Sequence, residues 1–151
     1  MRLILLLLPL GLFAQEVVKG EMPKDFMLKC NTEIKDKLDM YWIYDANTQI
    51  AKRFNYQFFG AESGWRKNEW EFELRRVYKT SLTFAEKDVM RAAMEYVYLD
   101  RVELTYWPDG AVIDKRDRYC EVITQADIDK REQQFKEDVA NFVPKKKVNK
   151  I

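Results

Sequence analysis

Histidine is absent from this chain. Its absence excludes Ser–His and Cys–His nucleophilic arrangements and most zinc sites, all of which need an imidazole. Glycine and proline are scarce, at 5 and 4 of 151 residues, and no glycine-rich phosphate loop, GxGxxG or GxSxG segment occurs. Nor does one sign of charge prevail: 26 Lys and Arg face 25 Asp and Glu. That balance gives no support to a general nucleic-acid or anionic-membrane binder. Carboxylates alone remain for catalysis. A two-carboxylate hydrolase needs only Asp and Glu, but no pair stands out among the 25 acids. The residues point away from an enzyme and imply no cofactor and no metal.

What is present begins with MRLILLLLPLGLFAQE. Arg2 supplies a positive start, residues 3–13 an apolar stretch broken by Pro9, and a cut after Ala14 would leave Gln15 first. This is the form of an export signal over residues 1–14. The stretch is too short to span a bilayer. The mature chain is therefore expected to lack a transmembrane segment and to be periplasmic or secreted. Loss of Arg2 leaves 25 bases against 25 acids, a net charge of zero. For an exported chain, one disulfide between Cys30 and Cys120 is the simplest use of its only two cysteines. Two buried free thiols are the alternative.

Residues 15–25 read as a polar lead-in, 26–143 as one β-rich domain and 144–151 as a basic tail. FMLKCN is a short strand carrying Cys30; the stretch over 32–39 takes no assignment. Residues 40–44 form an unbroken apolar run, as in a strand buried on both sides. DANT supplies a turn. The return strand splits into Ile50, Phe54, Tyr56 and Phe58 on one face and Arg53, Asn55 and Gln57 on the other. GAESGWRKN reads as a loop. In EWEFELRR, Trp70, Phe72 and Leu74 point in, and Glu69, Glu71, Glu73 and Arg75 point out. Residues 85–95 fit either a short helix or a turn and strand. A second hairpin is expected to run from 94–107 through the turn PDG back to Cys120. Thr124 is a good N-cap with Asp127 three residues on, so a helix is expected over 125–143. Ile128, Phe135, Val139 and Phe142 form its narrow apolar stripe, and Pro144 ends it. The fold class is mainly β: an antiparallel barrel or sandwich of about six to eight strands with a C-terminal helix packed on it.

Two places are candidates for a contact site. Along 96–107 the apolar residues change face at Asp100 and Arg101, so either both faces are half-covered or a β-bulge at this pair restores one core face. Charges beside buried aromatics must be paired. The two residues therefore read as structural, locking strand register, or else as a ligand site. In ESGWRK, Trp65 with Arg66 beside it and Ser63 before it reads as a binding anchor on a loop tip. The competing reading folds Trp65 back as a lid over the barrel end. The lysine run at 145–147 reads as a solvated tail rather than a contact with an acidic surface.

An early Cys, a W-E-F alternation, S-L-T-F, then Leu99, Asp100 and Arg101, and finally Tyr119, Cys120 and Glu121 give the chain a family likeness. Over roughly 30–123 it resembles a broad set of small secreted proteins of marine bacteria and their phages. That resemblance implies an antiparallel β domain and carries no activity with it. Ser63, Gly64 and Trp70 are similar to positions in periplasmic C-type lysozyme inhibitors, which implies a loop that plugs a wall-degrading enzyme. The expected function is that of an exported binding or envelope-associated module whose partner is an envelope or extracellular protein. An inhibitor and a carboxylate-based hydrolase are the alternatives.

Overall fold

The computed structural model describes residues 19–32, 39–87, 95–108 and 118–145. Its strands are β1 (Phe26–Thr32), β2 (Met40–Asp45), β3 (Ile50–Phe58), β4 (Trp65–Val77), β5 (Ser81–Glu86), β6 (Tyr96–Asp100), β7 (Tyr106–Pro108) and β8 (Arg118–Val122), followed by the helix α1 (Gln125–Ala140). All pair antiparallel in the order β7-β6-β5-β4-β3-β2-β1-β8. β8 returns to the side of β1, so the sheet curls into a nearly closed barrel. Its seam, β7 against β8, is held by a bridge between Thr105 and Tyr119 and by the Cys120 N–H donating to the Leu104 carbonyl at 2.6 Å. Cys30 and Cys120 are directly opposed on β1 and β8 and form the disulfide expected of them.

The interior is aromatic. Trp42 meets the rings of Phe72, Phe84 and Tyr106 at 5.3, 6.0 and 5.7 Å. Each such pair adds about 0.5–1.5 kcal/mol beyond the area it buries. β2 is buried on both faces, as its unbroken apolar run predicts. Trp42 and Tyr44 enter the barrel, while Tyr41 and Ile43 lie under α1. Trp70, Phe72 and Leu74 of β4 join the interior, also as predicted.

β3 divides its faces as the sequence alternates, but the polar face is the inner one. Arg53 and Asn55 are buried within the barrel, whereas Phe54 and Tyr56 look outward to Ile128 and Phe135 of α1. The pairing of β3 with β2 stops at Phe54, and that of β4 with β5 starts at Phe72. Residues 56–58 and 65–67 therefore extend past both neighbouring strands, beyond the barrel rim, as a two-stranded arm. Two strands alone are marginal in water. α1 covers the arm's outer face, with Phe135 on Tyr56 at 4.7 Å, and Phe142 just beyond the helix stands against Phe58 at 5.9 Å. The helix starts at a capping box formed by Thr124 and Asp127. Val139 is 46% exposed and does not belong to the buried stripe expected of it.

Two expectations change, and one open reading is settled at its start. The stretch 96–107 is not one strand with a bulge. The chain reverses after Asp100, with Leu104 in the left-handed region at φ 51, and returns as β7. That reversal is why the apolar residues change parity: Val97, Leu99 and Tyr106 all face the interior. Second, the segment 60–68 is a loop only as far as Gly64, and Trp65 and Arg66 open β4. Over 85–95, where the sequence leaves the reading open, β5 continues through Glu86, so the start is strand. Residues 88–94 lie outside the described residues, as do 109–117 with most of the predicted PDG turn, and 1–18 with the expected export signal.

Candidate functional site

Asp100 and Arg101 sit at the lower end of the barrel, where β6 turns into β7. Asp100 Oδ1 accepts the backbone N–H groups of Val102 and Glu103 at 2.8 and 2.9 Å, so this carboxylate builds the turn. Arg101 Nη1 donates to the carbonyls of Glu21 and Tyr78 at 2.9 and 3.1 Å, tying the N-terminal segment to the end of β4. Both side chains bond within the domain, as a structural role requires, but they bond to backbone and not to each other.

Ser63, Trp65 and Arg66 lie at the opposite end, so the two sequence candidates are not one site. The arm closes through a turn in which Gly64 N–H donates to the Gly60 carbonyl at 2.9 Å and Phe59 N–H to the Gly64 carbonyl at 2.8 Å. Gly64 is fixed by two constraints. Its φ is +68, and a Cβ there would stand 2.7 Å from the Phe142 ring. The chain beyond α1 thus packs on the turn, and Lys145 N–H donates to the Ala61 carbonyl at 2.9 Å. Trp65 is half-buried on the arm's outer face, 5.3 Å from the Phe58 ring, and is not a lid over the barrel. Phe58 is 46% exposed, Phe59 next along the chain 44%, and Val143 in the segment packed on the turn 81%. The Arg66 guanidinium stands 5.3 Å from the centre of the Phe59 ring. The exposed Ser63 completes the tip.

The barrel mouth holds a group that sequence reasoning did not single out. Arg53 is 6% exposed and gives both terminal nitrogens to Glu95. Its guanidinium lies 4.7 and 4.6 Å from the ring centres of Trp70 and Phe72. Its Nε has no hydrogen-bond partner among the described residues. Asn55 and Asn68 continue the polar lining at 2.9 Å from each other. Across the mouth Arg118 donates to the Tyr106 hydroxyl at 3.3 Å, while burial pushes that phenol's pKa up. The available signal was a charged residue in the middle of an alternating aromatic strand. Trp70, matched to the lysozyme inhibitors, belongs to this interior and not to the tip that carries Ser63 and Gly64.

Outside the barrel, the Tyr56 hydroxyl donates to Glu132 of α1, and Lys67 Nζ reaches the same oxygen at 3.3 Å. The Tyr56 bond draws the Glu132 carboxyl below its ordinary range, and burial, then Glu132, raises Tyr56. A general acid needs the opposite shift. No group of three or more acids or cysteines suited to a metal occurs among the described residues. No helix among them is long and apolar enough to cross a membrane. Neither a family model, nor a curated protein, nor a solved structure matches this chain.

Proposed function

We propose that this chain is an exported binding module of the cell envelope and that it makes contact through the tip of the β3–β4 arm. One observation carries the reading: Phe58 and Phe59 stand at the end of the arm, Val143 lies in the segment packed on its turn, and all three are exposed, while α1 braces the arm through Phe135 on Tyr56. Large apolar side chains left in water at one tip mark an interaction surface, and a braced arm limits the entropy lost on contact. Export agrees with the leader-like start and the disulfide. The test is fractionation of the full chain expressed with its leader in a bacterial host. The protein should be recovered with the envelope, and Phe58→Ser/Phe59→Ser should move it to the soluble fraction. A wild-type protein found wholly in the soluble fraction would overturn the reading.

Blocking a wall-degrading enzyme is a narrower form of the same reading, favoured by a projecting arm that carries Ser63 and Gly64 at its end. Its measure is turnover of a cell-wall suspension by a C-type lysozyme. Inhibition that is lost in Ser63→Trp would support it, and undiminished turnover at saturating protein would end it.

A further inference from the structure

Where β8 runs into α1, beside the turn from β2 to β3, we infer a binding site for a small organic cation, an ammonium carried on an apolar body. The site is a groove of about 480 Å³. Phe26 and Met27 of β1, Ile43 of β2, Val122 of β8 and Ile123 after it supply apolar walls. Val122 is 71% exposed, so this wall stands open to solvent. Asp25 and Asp45 add two carboxylates, and no lysine or arginine among the described residues shares the lining. A volume of this size suits one small molecule. The arm's tip is the turn at the other end of β3, so this site and the envelope contact are separate properties.

The chemistry of the lining selects a cation. Asp25 and Asp45 each use Oδ1 for a backbone amide, of Ala46 and Asn47 respectively, both at 2.8 Å. Tyr44 lines the same groove. It is 1% exposed, and its hydroxyl has no hydrogen-bond partner among the described residues. The hydroxyl bonds to neither carboxylate, yet both act on it: burial, then Asp25 and Asp45, push its pKa up. A buried polar group left unpaired costs free energy. An ammonium among these groups would donate to the phenol oxygen and answer both negative charges. The Phe26 and Tyr44 rings are stacked with centres 4.9 Å apart, and an aromatic face attracts a cation within about 6 Å. The start of α1 also borders the groove, through Thr124 and Gln125. Its positive end is already met by the Asp127 carboxylate of the capping box, so it does not call for an anion.

The experiment is saturation-transfer NMR with amide-shift titration of the purified protein, using phenethylammonium as the probe. Hydrocinnamate carries the same apolar body with a negative charge, and phenethyl alcohol carries it with none. The ammonium is expected to bind, to shift the amides of Val122, Ile123 and Gln125, and to weaken with salt. The alcohol should bind less and the carboxylate not at all. Asp25→Asn/Asp45→Asn keeps the oxygen that each backbone amide uses and removes both charges. With Tm unchanged, it should lower affinity on the order of twentyfold, roughly fivefold for each unit charge about 4 Å away in water. Val122→Trp, at an exposed position, should fill the groove and abolish binding. Failure of the ammonium to bind, or equal binding by the three probes, overturns the inference. So does undiminished binding in the charge variant or in Val122→Trp. If the charge variant does not fold, the probe comparison and Val122→Trp still decide.

Discussion

Arg53 gives its two terminal nitrogens to the two carboxylate oxygens of Glu95, at 2.9 and 3.0 Å, across the mouth of the barrel. Arg53 is buried and Glu95 is a third exposed, so the arginine is the partner that suffers if the pair is broken. Glu95→Ala should cost about 3 kcal/mol, the lower end for removing one partner of a buried pair. Arg53→Met/Glu95→Met leaves no lone charge and should cost less than Glu95→Ala alone. Urea melts of both variants decide it. A double variant less stable than the single would show that the pair is not what holds the mouth.

The Tyr56–Glu132 bond gives the docking of α1 a pH window. Glu132 is held below its ordinary 4.5, so its contribution is present above that pH and is lost as pH falls through the lower folded value. Tyr56 is held above its ordinary 10.0, so its contribution is present below that pH and is lost as pH rises toward the higher folded value. Thermal melts taken from neutrality past both limits should show two declines. Glu132→Gln should flatten the acid one, and an acid decline unchanged in that variant would place its origin elsewhere.

Asp100 and Arg101 do not pair, and this alters how their substitutions combine. Asp100→Ala removes the acceptor for two turn amides and should cost about 1 kcal/mol. Arg101→Ala removes charge-assisted bonds to two carbonyls and should cost about 1.5 kcal/mol. With no shared partner, the double variant should cost close to the sum, without the relief seen when two charges that pair are removed together. Denaturant melts that show strong coupling would contradict the geometry described here.

The bridge between Cys30 and Cys120 closes most of the chain into one loop, for which chain entropy gives about 4–5 kcal/mol. The purified protein should weigh two hydrogens less than its dithiol form and resist alkylation until reduced. Labelling of both thiols in native, unreduced protein would refute the bridge.

Legibility in the sequence followed the strength of each local signal. Thr124 with Asp127 placed the start of α1 because a capping box is a short-range contact. The apolar run of β2 announced a doubly buried strand, since only burial on both sides suits Tyr41 and Trp42 together. In β3 the two faces were readable, but not which was inner. Phe54 and Tyr56 look like a core row, and it takes α1, far along the chain, to make their face the outer one. The reversal after Asp100 was hidden because it uses Leu104 where glycine or asparagine would have signalled a left-handed residue. The exposed tip was half visible. Trp65 and Arg66 pointed to it, whereas Val143 joins it only through the contacts of its neighbours, Phe142 with Gly64 and Lys145 with Ala61.

The strand order also dictates a sequence of events during folding. β1 to β7 pair each with the next, so their loops are short and their closure costs little entropy. β8 alone among the strands must find a partner far away, and its cysteine lies 90 residues from the one it meets. Pairing of β8 with β1 is therefore expected to be the slow, late step. Until then β1 keeps an unpaired edge open to other chains. With only two cysteines, the one wrong bond available is between molecules. The fraction of disulfide-linked dimer formed when oxidant is added early in refolding, compared with late, thus becomes a clock for the moment at which the barrel closes.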